Sequence, residues 1–239
     1  PSTALTEAGG GDAVRPLCGS AAHPVGNPGG GRRPDRCGPP WGLPDRGDVI
    51  VEKAMVHPTS ILDGGVVLGD GTRVWQFCHL QAGASVGEYC TLGQNVNLGP
   101  GVRVGNGVKI QNNVSVYQGV TLEDQVFCGP SAVFTNDRTP RAPYPKGPGG
   151  YLPTLVREGA TIGANATILS GLTIGRWAMV AAGAVVTKDV PAHQLVAGTP
   201  ARAMGWVCRC GHRLDREFHC PACGRQYRMR GKIKSFPKP

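Results

Sequence analysis

From Leu62 onward an apolar residue returns at every sixth position: Leu62, Leu68, Val74, Leu80, Val86, Leu92, Leu98, Val104, Ile110, Val116, Leu122, Cys128 and Phe134. Four residues after each comes a second small or β-branched residue, the series Val66, Thr72, Cys78, Ala84, Cys90, Val96, Val102, Val108, Val114, Val120, Val126 and Ala132. Side chains alternate along a strand, so these two positions of each hexad point the same way, and the two left over make a corner. Three short strands then close a triangular coil of 18 residues. The period stops over residues 135–156, a polar insertion rich in Pro and Gly, and resumes with Ile162, Ile168, Ile174, Val180 and Val186 above Ala160, Ala166, Leu172, Ala178 and Ala184. The 18 hexads predict about six coils of an all-β parallel solenoid. Each coil buries its inner face only against its neighbours, so the stack needs caps at its ends.

The flanks follow other rules. Residues 1–54 hold 11 Gly and 8 Pro without hydrophobic periodicity, which predicts a disordered leader that cannot bury enough apolar surface to offset its ordering entropy. Organised sequence is expected over residues 55–190, and natural translation is expected to start at Met55, just before it. Residues 191–206 read as a capping segment, 207–228 as a small metal module and 229–239 as a basic tail. The net charge of +9 comes from the end: residues 201–239 carry ten Lys/Arg against Asp215 and Glu217. Such a tail is read as a solvated end rather than a nucleic-acid site. The longest apolar run, Trp177 to Val186, is too short for a membrane helix, and with nine cysteines and no signal peptide the chain is expected in the cytoplasm with reduced thiols.

Four of the cysteines are organised. Cys208 and Cys210, then Cys220 and Cys223, make a CxC pair and a CPxCG pair separated by nine residues, the spacing of two thiolate knuckles that close on a tetrahedral Zn²⁺. Gly211 and Gly224 follow each pair and leave the backbone free to turn its amides toward sulfur. Four Cys ligands fill the coordination shell, so the zinc is expected to be structural, and the module to unfold without it.

The segments LGQNVNLG and KIQNNVSVYQGVTLEDQVFCGPSAVFTN, the ATIGANATI restart and the AGTPAR ending resemble the hexapeptide-repeat acyltransferases that N-acetylate UDP-2-acetamido-3-amino-2,3-dideoxy-glucuronate. The likeness covers His57 to about Trp206. It implies a left-handed β-helix, against the right-handed rule for ordinary parallel crossovers. It also implies a homotrimer, acetyl-CoA lying between neighbouring subunits, and a nucleotide-linked amino sugar at the same interface. O-acetylation of a sugar hydroxyl and a non-enzymatic trimeric scaffold are the alternatives. Metal catalysis of the γ-type carbonic anhydrase kind needs three His at coil-related positions, whereas the repeats contain only His79.

Amide formation from a thioester needs a neutral amine, a route for one proton and support for the oxyanion. Stacking coils places Gln76, Gln94 and Asn112 on one corner, with Asn95 and Asn113 beside them and His79, Asn97 and Ser115 in an outward column on the next strand. At ~4.8 Å per coil, Asn95 and His79 lie roughly 10 to 15 Å from the root of the inserted loop. His79 is the side chain suited to act as base, although the departing thiolate can collect the proton itself. The family's QN motif points to Asn95 as a catalytic hydrogen-bonding residue; the corner ladder is its structural alternative. Gln94, Asn112, Asn136, Arg138 and Arg141 are candidates for the sugar and its diphosphate or uronate, and Gly183, Lys188 and Arg202 for the coenzyme.

Overall fold

The computed structural model describes residues 49–51, 53–230 and 232–235. Its core is a parallel β-solenoid whose strands, nearly all two residues long, build three sheets. The first coil consists of β1 (Ile50–Val51), β2 (Met55–Val56) and β3 (Ile61–Leu62), and each strand pairs with its counterpart one coil later: Val51 with Leu68, Val56 with Val74, Leu62 with Leu80. Six further coils follow, the last ending at Val185–Val186. Both expected inward columns lie in one continuous core, from Val66 and Leu68 to Ala184 and Val186.

Seven coils rather than six are present, because two strands precede the first expected hexad and a third, Thr154–Val156, lies inside the expected insertion. Val51 occupies the inward position of β1 but stands five residues before Val56, so a strict six-residue period passes over it. Ile50 and Val51 therefore belong to the solenoid, not to the leader; the rest of that leader lies outside the described residues apart from Val49, Lys53 and Ala54. The insertion is likewise shorter than expected. Thr154–Val156 is already a strand paired with Val120–Leu122, and Thr154 and Val156 are buried. Its Pro153 and polar Thr154 hid the return of the period.

The C-terminal end is closed by a hairpin. Gln194–Ala197 adds in parallel to Met179–Val180 and pairs antiparallel with Arg202–Trp206, which ends the parallel stacking. The expected basic tail is in fact partly a second hairpin, Tyr227–Arg230 against Lys232–Ser235, since its alternating residues satisfy a strand ladder. No helix among the described residues is long and apolar enough to cross a membrane.

The core has a chemical signature. Burial pushes the Cys128 thiol up to about 12, and burial also raises Cys78 and Cys90. A thiol at that value is about one part in 10⁴ thiolate at pH 8. Iodoacetamide at pH 8 should thus leave Cys128 unmodified in the native protein and label it only after denaturation, as read by peptide mass spectrometry. Native labelling at the rate of a free thiol would contradict its place in the core.

Candidate functional site

The third sheet carries the outward column on which His79 stands. Its outward residues run Ile61, His79, Asn97, Ser115, Val133, Thr167 and Val185, each paired with the next. His79 therefore lies three rungs from Val133, about 14 Å below the loop's root. Its Nε2 is 3.1 Å from Asp63 Oδ2, with both side chains partly exposed. An ionised carboxylate can only accept, so Nε2 carries the hydrogen, and in the neutral ring Nδ1 is the nitrogen with the lone pair. Beside it Gln81 Nε2 donates to Asn97 Oδ1 at 3.0 Å.

At the far edge of this sheet the inserted loop folds over a cleft of about 670 Å³, lined by Gln81, Tyr117, Gln118, Asn136, Asp137 and Tyr151 among others. A smaller hollow of about 410 Å³ inside the loop is lined by Asn136, Asp137, Arg141, Tyr144 and Lys146 among others. Asn136 thus borders both. The loop's cations are unequal. Arg138, itself exposed, directs Nε and Nη2 to the Ser170 carbonyl at 3.0 and 2.8 Å, and so fastens the loop to the solenoid. Lys146 donates to Asp137 and, at 2.6 Å, to Thr139, and its hydrogen bond holds the Asp137 carboxyl below the usual range. Arg141 is exposed, with a bond only to its neighbour's Pro140 carbonyl at 3.2 Å.

Gln94, Asn95 and Asn112 stand together on the opposite edge of the third sheet. Asn95 sits at φ 59° and Asn113 at φ 61°, left-handed corners that Asn tolerates better than most residues. Asn95 Nδ2 donates to Asn113 Oδ1 at 3.1 Å, and Asn112 Oδ1 accepts from the Gln94 amide at 3.0 Å. These bonds build the corner ladder. Gln94 and Asn95 remain exposed, but within one chain neither lines the loop cleft. The expectation that this corner faces the loop is corrected: the strand Asn97–Leu98 with its flanking turns, about 13 Å of extended chain, separates Asn95 from the cleft edge at Gly99.

At the last coil Lys188 and Arg202 line one pocket of about 230 Å³ with Thr187, Gln194 and Ala203, where the end of the third sheet meets the capping hairpin. Gly183 turns the final corner at φ 68°, and a Cβ there would meet nothing within 4 Å, so this corner borders open space.

The four cysteines of the module converge, all their sulfurs lying within 4.8 Å of one another. Cys208–Cys223 and Cys210–Cys220 are 3.5 Å apart and Cys210–Cys223 3.6 Å. Zn–S bonds of ~2.3 Å in a tetrahedron give edges of about 3.8 Å, so the donor set and its size fit a zinc ion. Burial opposes the Cys208 thiolate, but bonds from the Cys210 backbone and the Tyr227 hydroxyl outweigh it and bring the group down to about 6. Gly211 and Gly224 adopt φ 89° and 68° as expected; their own amides donate to the Cys208 and Cys220 carbonyls, while the backbone amides of Cys210, His212 and Arg225 turn toward the sulfurs of Cys208, Cys210 and Cys223.

Sequence reasoning missed Asp63, Gln81, Tyr117, Gln118, Tyr151 and Lys146. Coil arithmetic reaches Asp63 and Gln81, since each stands two residues beyond an outward position of the third sheet and shares its face. Tyr151 and Lys146 come from a loop without period and left no signal.

Comparison with known proteins follows the same lines. Residues 153–188 match the bacterial transferase hexapeptide model (six repeats), and residues 83–118 the hexapeptide repeat of succinyl-transferase. A dTDP-3-amino-3,6-dideoxy-α-D-galactopyranose 3-N-acetyltransferase from Aneurinibacillus thermoaerophilus is 41% identical over 187 residues, 77% of this chain and 95% of that protein. Among solved structures, a point mutant of perosamine N-acetyltransferase from Caulobacter crescentus, in complex with CoA and GDP-perosamine, is 24% identical with a TM-score of 0.41, over 64% of this chain and 56% of that one. The acetyltransferase domain of PglB from Neisseria gonorrhoeae, in complex with acetyl coenzyme A, is 22% identical with a TM-score of 0.43, over 64% and 58%. The chain thus spans little more than half the length of these two.

Proposed function

Because the chain belongs to the hexapeptide-repeat acyltransferases, the left-handed β-helix enzymes, we propose that it moves the acetyl group of acetyl-CoA onto the amine of a nucleotide-linked 3-amino sugar. The observation that carries this reading is the outward column of the third sheet. It joins an imidazole held by a carboxylate, a loop-covered cleft, and a basic pocket at the last coil.

In this reading the coenzyme phosphates meet Lys188 and Arg202, and the pantetheine arm runs past the bare corner at Gly183 along the third sheet. From Val185 to His79 is five rungs, about 24 Å, a span an extended CoA can bridge. His79 takes the proton that the amine loses as it attacks the thioester carbonyl; Asp63 orients the ring and steadies the imidazolium. The C–N bond forms, the C–S bond breaks, and CoA leaves as the thiolate. Asn136 and Arg141 hold the diphosphate side of the acceptor, with Arg138 acting indirectly by anchoring the loop. We take the working form to be a homotrimer, in which Gln94, Asn95 and Asn112 of one subunit complete the acceptor site of another. That arrangement gives the exposed Asn95 corner a role that it cannot fill within its own chain.

The loop favours a sugar without a carboxylate at C6. Arg138 directs two of its donors to Ser170 and Lys146 pairs with Asp137, which makes Arg141 the loop cation most open to the diphosphate. A 6-deoxy sugar, as in the substrate of the Aneurinibacillus relative, suits this set better than the uronate that the resemblance implied. The reading places the enzyme in the cytoplasm, where acetyl-CoA and nucleotide sugars meet, and gives the four cysteines a structural zinc. A thiol-release assay with a panel of amino and hydroxyl nucleotide sugars tests it. Free CoA should appear with 3-amino acceptors; release only with hydroxyl acceptors would overturn the amine reading.

A further inference from the structure

We infer that the metal held by the four cysteines controls acetyl-CoA affinity, by fixing the strand that carries Arg202. This rests on the two readings just given, zinc at the thiols and coenzyme at the Lys188–Arg202 pocket, and adds a physical link between them.

The link is continuous. Arg202–Trp206 runs directly into Val207 and Cys208. Around that junction Val207 donates to the His193 carbonyl at 2.8 Å, Leu214 to the Trp206 carbonyl at 2.9 Å, and the Arg213 guanidinium to the Met204 carbonyl. The outer half of the strand thus takes bonds from residues lying between the two cysteine pairs. On its inner side the strand is irregular, its pairing slipping between Leu195 and Val196, both on the strand that helps line the pocket through Gln194 and Val196. An irregular ladder is weaker and leans more on the module.

The module in turn has little besides the metal to hold it. Its buried cluster is Cys208, Leu214, Cys220 and Tyr227, with only the half-buried Trp206, Phe218 and Cys223 packed against it, and three of these seven are metal ligands. A core that small cannot offset the ordering of some twenty residues, so metal binding is the folding energy. Tyr227 then carries the order across. Its hydroxyl donates to Cys208 Sγ at 3.1 Å and accepts from the Arg209 amide at 3.0 Å. Its ring packs edge-on against His193, centroids 5.0 Å apart, and His193 Nδ1 lies 3.0 Å from the Val207 carbonyl. Arg209 also stacks over Trp177 of the seventh coil at 5.0 Å. One ligand is therefore braced against the solenoid through Tyr227, with Arg209 beside it.

Full-length protein tests this by three readouts. Elemental analysis should find one zinc per chain. Removing it, with a chelator or by Cys220→Ala, should release the amides of residues 194–206 to hydrogen exchange while those of residues 161–180 stay protected. The KM for acetyl-CoA should rise about tenfold, within the usual range of coupling between separate sites, with the sugar KM and kcat little changed. Added zinc should reverse both effects of the chelator. Tyr227→Phe keeps all four thiols and loses the hydroxyl bridge, so it should retain zinc yet show partial loss of protection over 194–206. Zinc present, but protection over 194–206 unchanged on its removal, overturns the coupling and leaves the zinc reading standing. Absence of metal, or iron in its place, overturns both. Exchange is read without turnover, so a wrong acyl donor would show separately, as inactivity of the metal-loaded enzyme.

Discussion

Replacing His79 with asparagine should lower kcat about a hundredfold at neutral pH, the ordinary value of a positioned general base, while the melting temperature stays close to that of the parent. The ring is partly exposed on an outward strand position, so its loss opens no cavity in the core. What is lost is Nδ1, the one nitrogen that Asp63 leaves free. Asp63→Asn should have a smaller effect, about tenfold, because the imidazole survives but its tautomer and orientation are no longer imposed. Steady-state kinetics with acetyl-CoA in excess read both variants. Unchanged turnover in His79→Asn would remove the protein base from the mechanism and leave the proton to the departing CoA thiolate.

The second large effect concerns the fold. Phe134→Ala should cost about 3 to 5 kcal/mol, the usual toll for deleting a buried aromatic ring. Phe134 is fully buried, pairs with Ile168 on the next rung, and is the last inward residue before the chain leaves for the loop. Because each coil rests only on its neighbours, a void at this rung weakens the contact between the coils on either side of the insertion. That is a large share of the ~5 to 15 kcal/mol that stabilises most domains, so the thermal transition should fall sharply or split in two. Scanning calorimetry measures it. A loss below about 1 kcal/mol would mean that the ring is not packed at the axis.

The hexad was legible because the solenoid repeats one physical requirement at every rung: an inward residue small or branched enough to stack on its copy. Where that requirement bends, the sequence misleads. Val51 stands five residues before Val56 instead of six, and the first strand falls into the expected leader although it pairs normally. Thr154 is buried with its hydroxyl bonded to the Gly171 amide at 3.2 Å, which lets a polar residue begin a core strand. Polarity alone could not reveal that.

The site was legible to the extent that it is periodic. The positions of His79 and the Asn95 corner follow from coil arithmetic and the cysteine cluster from ligand spacing, whereas Lys188 and Arg202 are reached only by their place near the end of the helix and, for Arg202, by the AGTPAR motif. Loop residues obey no period. Arg138 is exposed, as its place in the loop suggests, yet its Nε and Nη2 donate to the Ser170 carbonyl, an anchoring contact that its residue type does not announce. Asn95 read as facing the loop because both border one sheet; they lie at opposite edges of it, a distinction carried by the direction of each corner rather than by its residue type.

The claim on which the rest depends is the identity of the bond formed. It is tested most directly by incubating the full-length protein with acetyl-CoA and a dTDP-linked 3-amino-3,6-dideoxy sugar and examining the product by NMR and mass spectrometry. The expected product carries one acetyl group per sugar, joined as an amide at the C3 nitrogen, with an equivalent of free CoA. Recovery of the amino sugar unchanged across UDP- and dTDP-linked 3-amino acceptors, or an acetyl ester on a ring hydroxyl with the amine left free, would contradict it.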